Sequence, residues 1–509
     1  MFDRTHALLT AASLAFLAAP ALAQVHYHED GGPWNQRASA GPDAVVPGWY
    51  YNLGITGLRV ELVEDAPCDL VVRYVFEGSP AAGKVRVGDH IVGAGGARFE
   101  TPHRNGYGMD VFGPNGPLLD FAVALEEAQT KAGKGVLELV VERVSKDGDE
   151  PKERNVDLRV GTRYGAFGPS FPDECKKSDR IVGELLDQLV EQQREDGSWG
   201  LEPRDVFAPL ALLASGERKY RPAVEKCARF HARTTSAEDE GGLINWRYMG
   251  AAIVLAEYYL ATGEKWVLPE LEEIRDFLVG SQYMSLAQRN PRVKESHPGD
   301  WPTDPMDSHG GWGHNPGFEG YGPIAMLTGQ GALALSLIGR CGVEVDRARI
   351  DAALAFVDRG SGANGYVWYG DEKGGGPDDW ADMGRTGAAA IAYHLAPIDA
   401  ERRAHGREHA LVIGAHPESF PDTHGSPVMG MGYAALGAFT DPGSFRRLMD
   451  ANRWWFALAQ CQDGSFYYQP NRDNAGYGED SRLSASAVTA FILTVPRRGL
   501  VLTGRGEER

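Results

Sequence analysis

Cysteine is scarce and scattered. Cys68, Cys175, Cys227, Cys341 and Cys461 are the only five in 509 residues, and no two form a C-x-x-C pair. An odd, dispersed set leaves at least one thiol free and argues against a disulfide framework. Long apolar runs are missing as well. The run from Ala7 to Ala19 falls short of the roughly 20 residues that cross a bilayer, and no later segment reaches that length without charge. Basic residues are outnumbered, with 51 Lys and Arg against 70 Asp and Glu and a net charge of −19. This argues against a general nucleic-acid binder, whose affinity would come from Lys and Arg on phosphates, although a cavity can still carry local positive charge. Neither HExxH nor GxSxG occurs, and Gly425-Ser426 lacks the rest of a nucleophile elbow, so protease chemistry finds no support.

What the chain does have is glycine, 64 residues of it, pointing to many tight turns. A hydrophobic content of 43% and a charged content of 24% are those of a soluble globular protein, and the length suggests two or three domains. Arg4 and His6 precede the first apolar run, and Ala21-Leu22-Ala23 precede Gln24. Residues 1–23 are therefore expected to be a secretory signal with an A-x-A cleavage site. The mature protein is expected to be periplasmic or secreted, with no stable membrane span. Residues 24–48, polar and carrying Gly, Pro and His, are expected to be a linker.

Residues 49–160 read as strands with one helix. YNLGITGLRVELV and LVVRYVFEGSPAAGKVRVGDHIVGAGGARF run or alternate apolar between glycine-rich turns, LLDFAVALEEAQTKAG has helical spacing, and VLELVVERV is a closing strand. GSPAAGKVRVGDHIVGAGG, Gly78 to Gly96, and the loop Asn52-Leu53-Gly54-Ile55 together resemble a PDZ domain. The resemblance implies that Asn52, Leu53, Gly54 and Ile55 capture the C-terminal peptide of a protein partner, which would add as an extra strand. A PDZ-like fold that merely packs on its neighbour is the alternative. The insertion from Thr101 to Gly116 leaves peptide specificity unread, and 161–177 is expected to link to the next domain.

From Ser178 the apolar period becomes helical and a couplet repeats. A helix with a charged stripe leads through a Gly/aromatic turn to a helix apolar on nearly every side. DRIVGELLDQLVEQQ, DGSWG and VFAPLALLASG make the first couplet; FRRLMDANRWWFALAQ, DGSFYY and SASAVTAFILTV make the sixth. The turn glycines Gly197, Gly242, Gly311, Gly365, Gly425 and Gly464 stand 45, 69, 54, 60 and 39 residues apart. All-round apolar helices are buried and striped ones face water, so six alternating pairs predict an inner barrel inside an outer ring. The expected protein is multidomain: a small α+β PDZ-like domain, then an all-α (α/α)6 toroid over 178–500 and a tail at 501–509. An open helical solenoid with capping repeats is the alternative.

Gln193 to Trp199, QREDGSW, returns as QCQDGSF at 460–466 and resembles the QW repeat of terpenoid cyclases. The toroid as a whole resembles the terpenoid cyclase and protein prenyltransferase superfamily, and its union with a PDZ-like module is similar to a family of secreted bacterial proteins. The motif is architectural: Gly allows the turn, Asp and Ser cap, and the aromatic covers the corner. Gly376-Pro377-Asp378-Asp379 lacks the first aspartate of the superfamily's proton-donating D-x-D-D. Asp378-Asp379-Trp380-Ala381-Asp382 matches D-D-x-x-D, which would hold diphosphate through magnesium, but it falls in a charge-rich loop.

Chemistry concentrates in the third turn, DSHGGWGHNPGFEGYGP, where His309, His314, Asn315, Glu319 and Tyr321 precede an inner helix. Other turns add Asp382 and Arg385, Asp422 and His424, and Arg472, Asp473 and Glu479. In a toroid all six turns share one face, so these residues are expected to converge. Three readings stand side by side. Neutral His or Tyr as base, Tyr as acid and Arg or Asn on a carboxylate suit β-elimination of an acidic sugar, or carboxylates drive glycoside hydrolysis. Alternatively His309, His314 and His424 with an Asp or Cys461 hold zinc, or the polar groups satisfy loop backbone around a binding cavity without chemistry. The candidate catalytic set is His314, Glu319, Tyr321, Arg385 and His424, with Tyr321 or His424 for proton transfer and Arg385 for substrate charge. The expected ligand is a carbohydrate or other extended molecule at the toroid mouth. A non-enzymatic scaffold and a cyclase-like enzyme are the alternatives, and no cofactor is identified.

Overall fold

A computed structural model describes residues 49–63, 65–103, 115–143, 151–235, 242–421, 427–469 and 481–506. The first part is one antiparallel sheet. Strands β1 (Trp49–Asn52), β2 (Leu58–Leu62), β3 (Leu70–Val75), β4 (His90–Ala94), β6 (Val136–Arg143) and β7 (Lys152–Arg159) pair in the order β1-β2-β3-β4-β6-β7, and the short β5 (Ala97–Arg98) pairs with β4. Period-two burial follows the sequence: Leu137, Leu139 and Val141 of β6 point inward between more exposed neighbours. Helix α1 (Pro117–Ala128) opens on a proline at its first position and lays Leu118, Phe121 and Leu125 against the sheet.

The second part is a ring of paired helices. Its inner helices are α3 (Glu202–Ala214), α5 (Ile244–Thr262), α8 (Ala325–Arg340), α10 (Gly384–Leu395), α12 (Pro427–Phe439) and α15 (Ser481–Thr494). Each packs on the next, and α15 packs back on α3, closing the circle. The outer helices are α2 (Lys176–Glu191), α4 (Arg221–Arg233), α6 (Val267–Ser281), α9 (Arg347–Arg359), α11 (Ala400–Ala415) and α13 (Pro442–Ala451). A short α7 (Val293–Ser296) lies in the third-turn insertion, and α14 (Arg453–Ala459) turns from α13 toward the sheet. The couplet reading therefore stands: α2 buries only the face of Ile181, Leu185 and Leu189, whereas α8 is buried continuously from Ala325 to Ile338. Small residues let the inner helices touch. A Cβ on Gly387 of α10 would lie 2.1 Å from the Tyr433 carbonyl oxygen of α12, and one on Gly437 would lie 2.4 Å from Gly387 Cα.

Ring and sheet share one hydrophobic core running from Tyr51 to Leu502. Residues 161–177, expected as a linker, pack between the two parts: Phe171 packs against Phe167 and edge-on to Phe456, at 4.2 and 5.3 Å between ring centroids. Lys177, fully buried, pairs with Glu126 of α1 and lies 4.4 Å from the Phe167 ring centroid. This docking corrects the expected peptide site. Asn52, Leu53, Gly54 and Ile55 are all buried, and α14 lies on them. Asn52 Nδ2 donates to the Leu458 carbonyl at 2.8 Å, its N–H donates to Gln469 Oε1 at 3.0 Å, and a Cβ on Gly54 would meet the Ala457 carbonyl oxygen at 2.6 Å. The loop that would capture a partner's C-terminus is occupied by the chain's own helix end. No described helix is long and apolar enough to cross a membrane, and all five cysteines are free.

Candidate functional site at the mouth of the ring

Three of the turns that join outer to inner helices share elements of one construction. Gln193 Nε2 donates to the carbonyls of Gly197 and Ala223 at 2.9 and 2.8 Å, tying the first turn to α4. Asp196 Oδ1 accepts from the Ser198 N–H and hydroxyl at 2.9 and 2.8 Å. Gly197 has φ 97°, and a Cβ there would run into the Lys226 carbonyl oxygen at 2.3 Å, so only glycine fits. Buried Trp199 donates from Nε1 to the Leu189 carbonyl at 2.7 Å. At the last turn Asp463 Oδ1 accepts from the Ser465 N–H at 3.0 Å, and Gln188 of α2 donates to the Asp463 carbonyl at 2.8 Å. A third copy is split by the insertion. Gln282 Nε2 donates to the Gly310 and Arg349 carbonyls at 2.8 and 3.0 Å, and Trp312 Nε1 donates to the Leu278 carbonyl at 2.9 Å. The glycine doing this work is Gly310 rather than the expected Gly311.

These turns bring the first residues of five inner helices, α3, α5, α8, α10 and α12, to one cavity of about 620 Å³. Leu201, Leu243, Tyr321 and Tyr369 form its rim with 49%, 56%, 46% and 38% exposure. They are four of the nine exposed large hydrophobics among the described residues, so apolar exposure is concentrated at this mouth, as at a ligand site. One helical turn further in, Phe207 of α3 packs against Tyr433 of α12 and Phe491 of α15, with centroids 6.1 and 5.1 Å apart.

A chain of hydrogen bonds crosses the wall between the second and fourth turns. Trp246 Nε1–H can only donate, and it donates to His314 Nδ1 at 2.8 Å. The proton of the neutral imidazole therefore sits on Nε2, where it is given to the Tyr321 hydroxyl oxygen. Burial lowers the His314 pKa and favours this neutral form. The Tyr369 hydroxyl donates to the same Tyr321 oxygen at 3.2 Å. The second and third turns are stitched together behind this chain, Asn245 Nδ2 donating to the Gly313 carbonyl at 2.8 Å and Asn315 Oδ1 accepting from the Ile244 N–H at 3.3 Å.

Two carboxyls line the cavity from helices that are three places apart in a ring of six. Asp382 precedes α10 and pairs with Arg385 at 3.0 Å. Glu202 opens α3; burial and then nearby Asp205 push its pKa up to about 8. Its Oε1 is buried without a hydrogen-bond partner among the described residues.

Of the five expected catalytic residues, His314, Tyr321 and Arg385 meet at this cavity. Glu319 is a correction: it is exposed in the turn closed by its carbonyl and the Gly322 N–H, away from the cavity wall. His424, with Asp422, Arg472, Asp473 and Glu479, lies outside the described residues. Arg385 is engaged within the wall: its Nη1 pairs with Asp382, its Nη2 donates to the Tyr366 hydroxyl at 2.7 Å, and it packs 5.5 Å from the Tyr369 ring. The D-x-D-D and D-D-x-x-D readings dissolve, because Asp378 and Asp379 are exposed, with Asp379 accepting from the Gly376 N–H at 2.7 Å, while Asp382 is buried on Arg385. Among the described residues no three His, Cys, Asp or Glu gather to hold a metal. Cys461 is buried behind the sixth turn, its thiol pushed up to about 12 by burial and then by Asp463. Glu202, Trp246, Arg247 and Tyr369 are cavity residues that the sequence reading did not single out. Their signal was position, within the turn or the first helical turn after it.

Residues 178–504 match the model of a domain of unknown function, DUF6288. No curated protein matches the chain. Among solved structures, an inactive variant of the α-1,6-mannanase GH76A of Salegentibacter sp. HEL1_6, in complex with α-1,6-mannotriose, is similar at 12% identity and a TM-score of 0.45 over 62% of this chain and 99% of that one. A family 76 glycoside hydrolase from a bovine Bacteroides thetaiotaomicron strain is similar at 9% identity and 0.45, over 71% and 84%. A type II terpene cyclase, MstE from Scytonema with geranylgeranyl dihydroxybenzoate, is similar at 12% and 0.40, over 63% and 98%.

Proposed function

The chain belongs to the DUF6288 family through residues 178–504, and on that premise we propose that the mouth of its ring is the site of a carbohydrate-cleaving enzyme. In this reading a sugar chain lies against the aromatic rim of Trp246, Tyr321 and Tyr369, whose rings offer apolar faces to its C–H surface. Tyr321 contacts the substrate and hydrogen-bonds to it through its hydroxyl, and His314 is its positioning residue. The observation that carries the reading is the directed chain from Trp246 through His314 to Tyr321, opening on an exposed rim. A cyclase-like reaction is less well supported, because Tyr321 at 46% exposure leaves water at the reacting end. The sheet domain acts here as a buttress for the ring, its loop at 52–55 being covered by α14.

The test is release of soluble oligosaccharides from a panel of neutral and uronate-containing polysaccharides by the full chain. Tyr321→Phe should lower kcat by about 10²-fold or more. His314→Ala should lower it too and move its pH profile, which a change in sugar stacking alone would not do. Unchanged turnover in Tyr321→Phe would remove Tyr321 from the mechanism, and a wild-type protein inert on the whole panel would end the carbohydrate reading.

A further inference from the structure

We infer that Glu202 is the proton donor of this site and Asp382 its carboxylate counterpart across the mouth, so that the cleavage is hydrolysis. The inference rests on the carbohydrate reading above and adds the reaction to it.

Geometry singles out Glu202. It lines the cavity, yet its Oε1 is buried without a partner among the described residues. The room for that oxygen is made by Gly250 on α5, where a Cβ would lie 2.8 Å from it. An unpartnered carboxyl oxygen at a ligand cavity is costly to keep unless the group is neutral or a ligand completes it. Among the described residues, the groups around it give no counterion of the kind Asp382 has. Asp205 on α3 adds like charge, Tyr433 on α12 is a buried phenol, and Arg204 on α3 donates to Ser484 of α15 at 2.6 Å. Arg482 of α15 is paired with Asp463 at 2.9 Å, and Arg247 on α5 is the remaining cation lining the cavity. The upward shift of the Glu202 pKa agrees with this setting. Asp382 has the opposite environment, held on Arg385. Two carboxyls with unlike surroundings on opposite walls are the pattern that divides acid from base.

The step balances with water alone. The Glu202 carboxyl proton passes to the glycosidic oxygen as the bond from that oxygen to the anomeric carbon breaks. A solvent water places its oxygen on that carbon and gives its proton to the Asp382 carboxylate. One water is consumed, a reducing end and a free hydroxyl form, and proton exchange with solvent resets both carboxyls.

The experiment compares full-length wild type with Glu202→Gln on whichever polysaccharide the panel identifies and on the dinitrophenyl glycoside of the same sugar, whose leaving group needs no proton. The expected result is a loss of about 10²-fold or more on the polysaccharide, little loss on the dinitrophenyl glycoside, and disappearance of the fall in rate above about pH 8. Equal losses on both substrates, no loss on either, or an unsaturated product in place of a hydrolytic one would overturn the proposal. Infrared spectra decide the donor without substrate: wild type near neutral pH should show a protonated carboxyl C=O band that Glu202→Gln lacks, and its absence would overturn the assignment even if the carbohydrate reading survives. If wild type cleaves no polysaccharide, that reading fails and the inference with it.

Discussion

A carboxyl that stays protonated near neutral pH leaves a mark on folding as well as on chemistry. Glu202 goes from the ordinary value of 4.5 to about 8 in the folded protein. Between those values the folded chain holds a proton that the unfolded chain has lost, so this residue's contribution to stability is present at low pH and falls as pH rises through the window. The slope is up to about 1.4 kcal/mol per pH unit. Glu202→Gln should remove it, so that urea midpoints of variant and wild type diverge between pH 5 and 8, with the variant ahead at the upper end. The same residue shows where sequence reading stops. His314, Tyr321 and Arg385 were legible because polar side chains in a glycine-rich turn before an apolar helix have few structural reasons to be there. Glu202 and Asp205 instead look like the acidic residues that ordinarily favour a helix N-terminus, and nothing local reveals that Gly250 on another helix makes a pocket for one of them. Arg385 was found for its charge, but Asp382 and Tyr366 take up that charge, which only the fold brings together.

Among the elements, the first and third turns depend on two anchors, a glutamine amide and an indole N–H, more than on the contiguous motif. Gln282 and Trp312 make the same bonds as Gln193 and Trp199 across an insertion, and a contiguous search string cannot see a pair held together only in space. We therefore expect Gln282→Ala to destabilise the protein as Gln193→Ala does, by about 1–3 kcal/mol each, from the carbonyls each leaves unpaired, measured by chemical denaturation. The inner helices are sensitive in another way. Gly387→Val would drive a branched side chain into the Tyr433 backbone, and a loss of about 1–3 kcal/mol or more is expected from overpacking, read as a lowered Tm. The alternation of striped and all-apolar helices was legible throughout because burial periodicity is a local property.

For the molecule as a whole, sheet and ring share one core, since α14 seats on the loop at 52–55 and the buried cluster is continuous. A chain beginning at residue 178 should lose solubility, because Trp454 and Phe456 of α14 would be stripped of Tyr51 and Phe171; soluble yield and thermal melting of that fragment against the full chain check it. The six couplets and two parts were legible in the sequence, but their docking was not, because a PDZ-like signature describes a module standing alone and carries no trace of the helix end that fills its loop. The contact of α15 with α3, fastened by Arg204 and Ser484 across 280 residues, bears on how the protein comes into being. A nascent chain cannot seal its circle until the last stave has left the ribosome. Until then α2 and α3 present an open apolar flank, so chaperone engagement should persist through synthesis of nearly the whole polypeptide, and closure, a contact of very long sequence separation, should be the slow event of maturation.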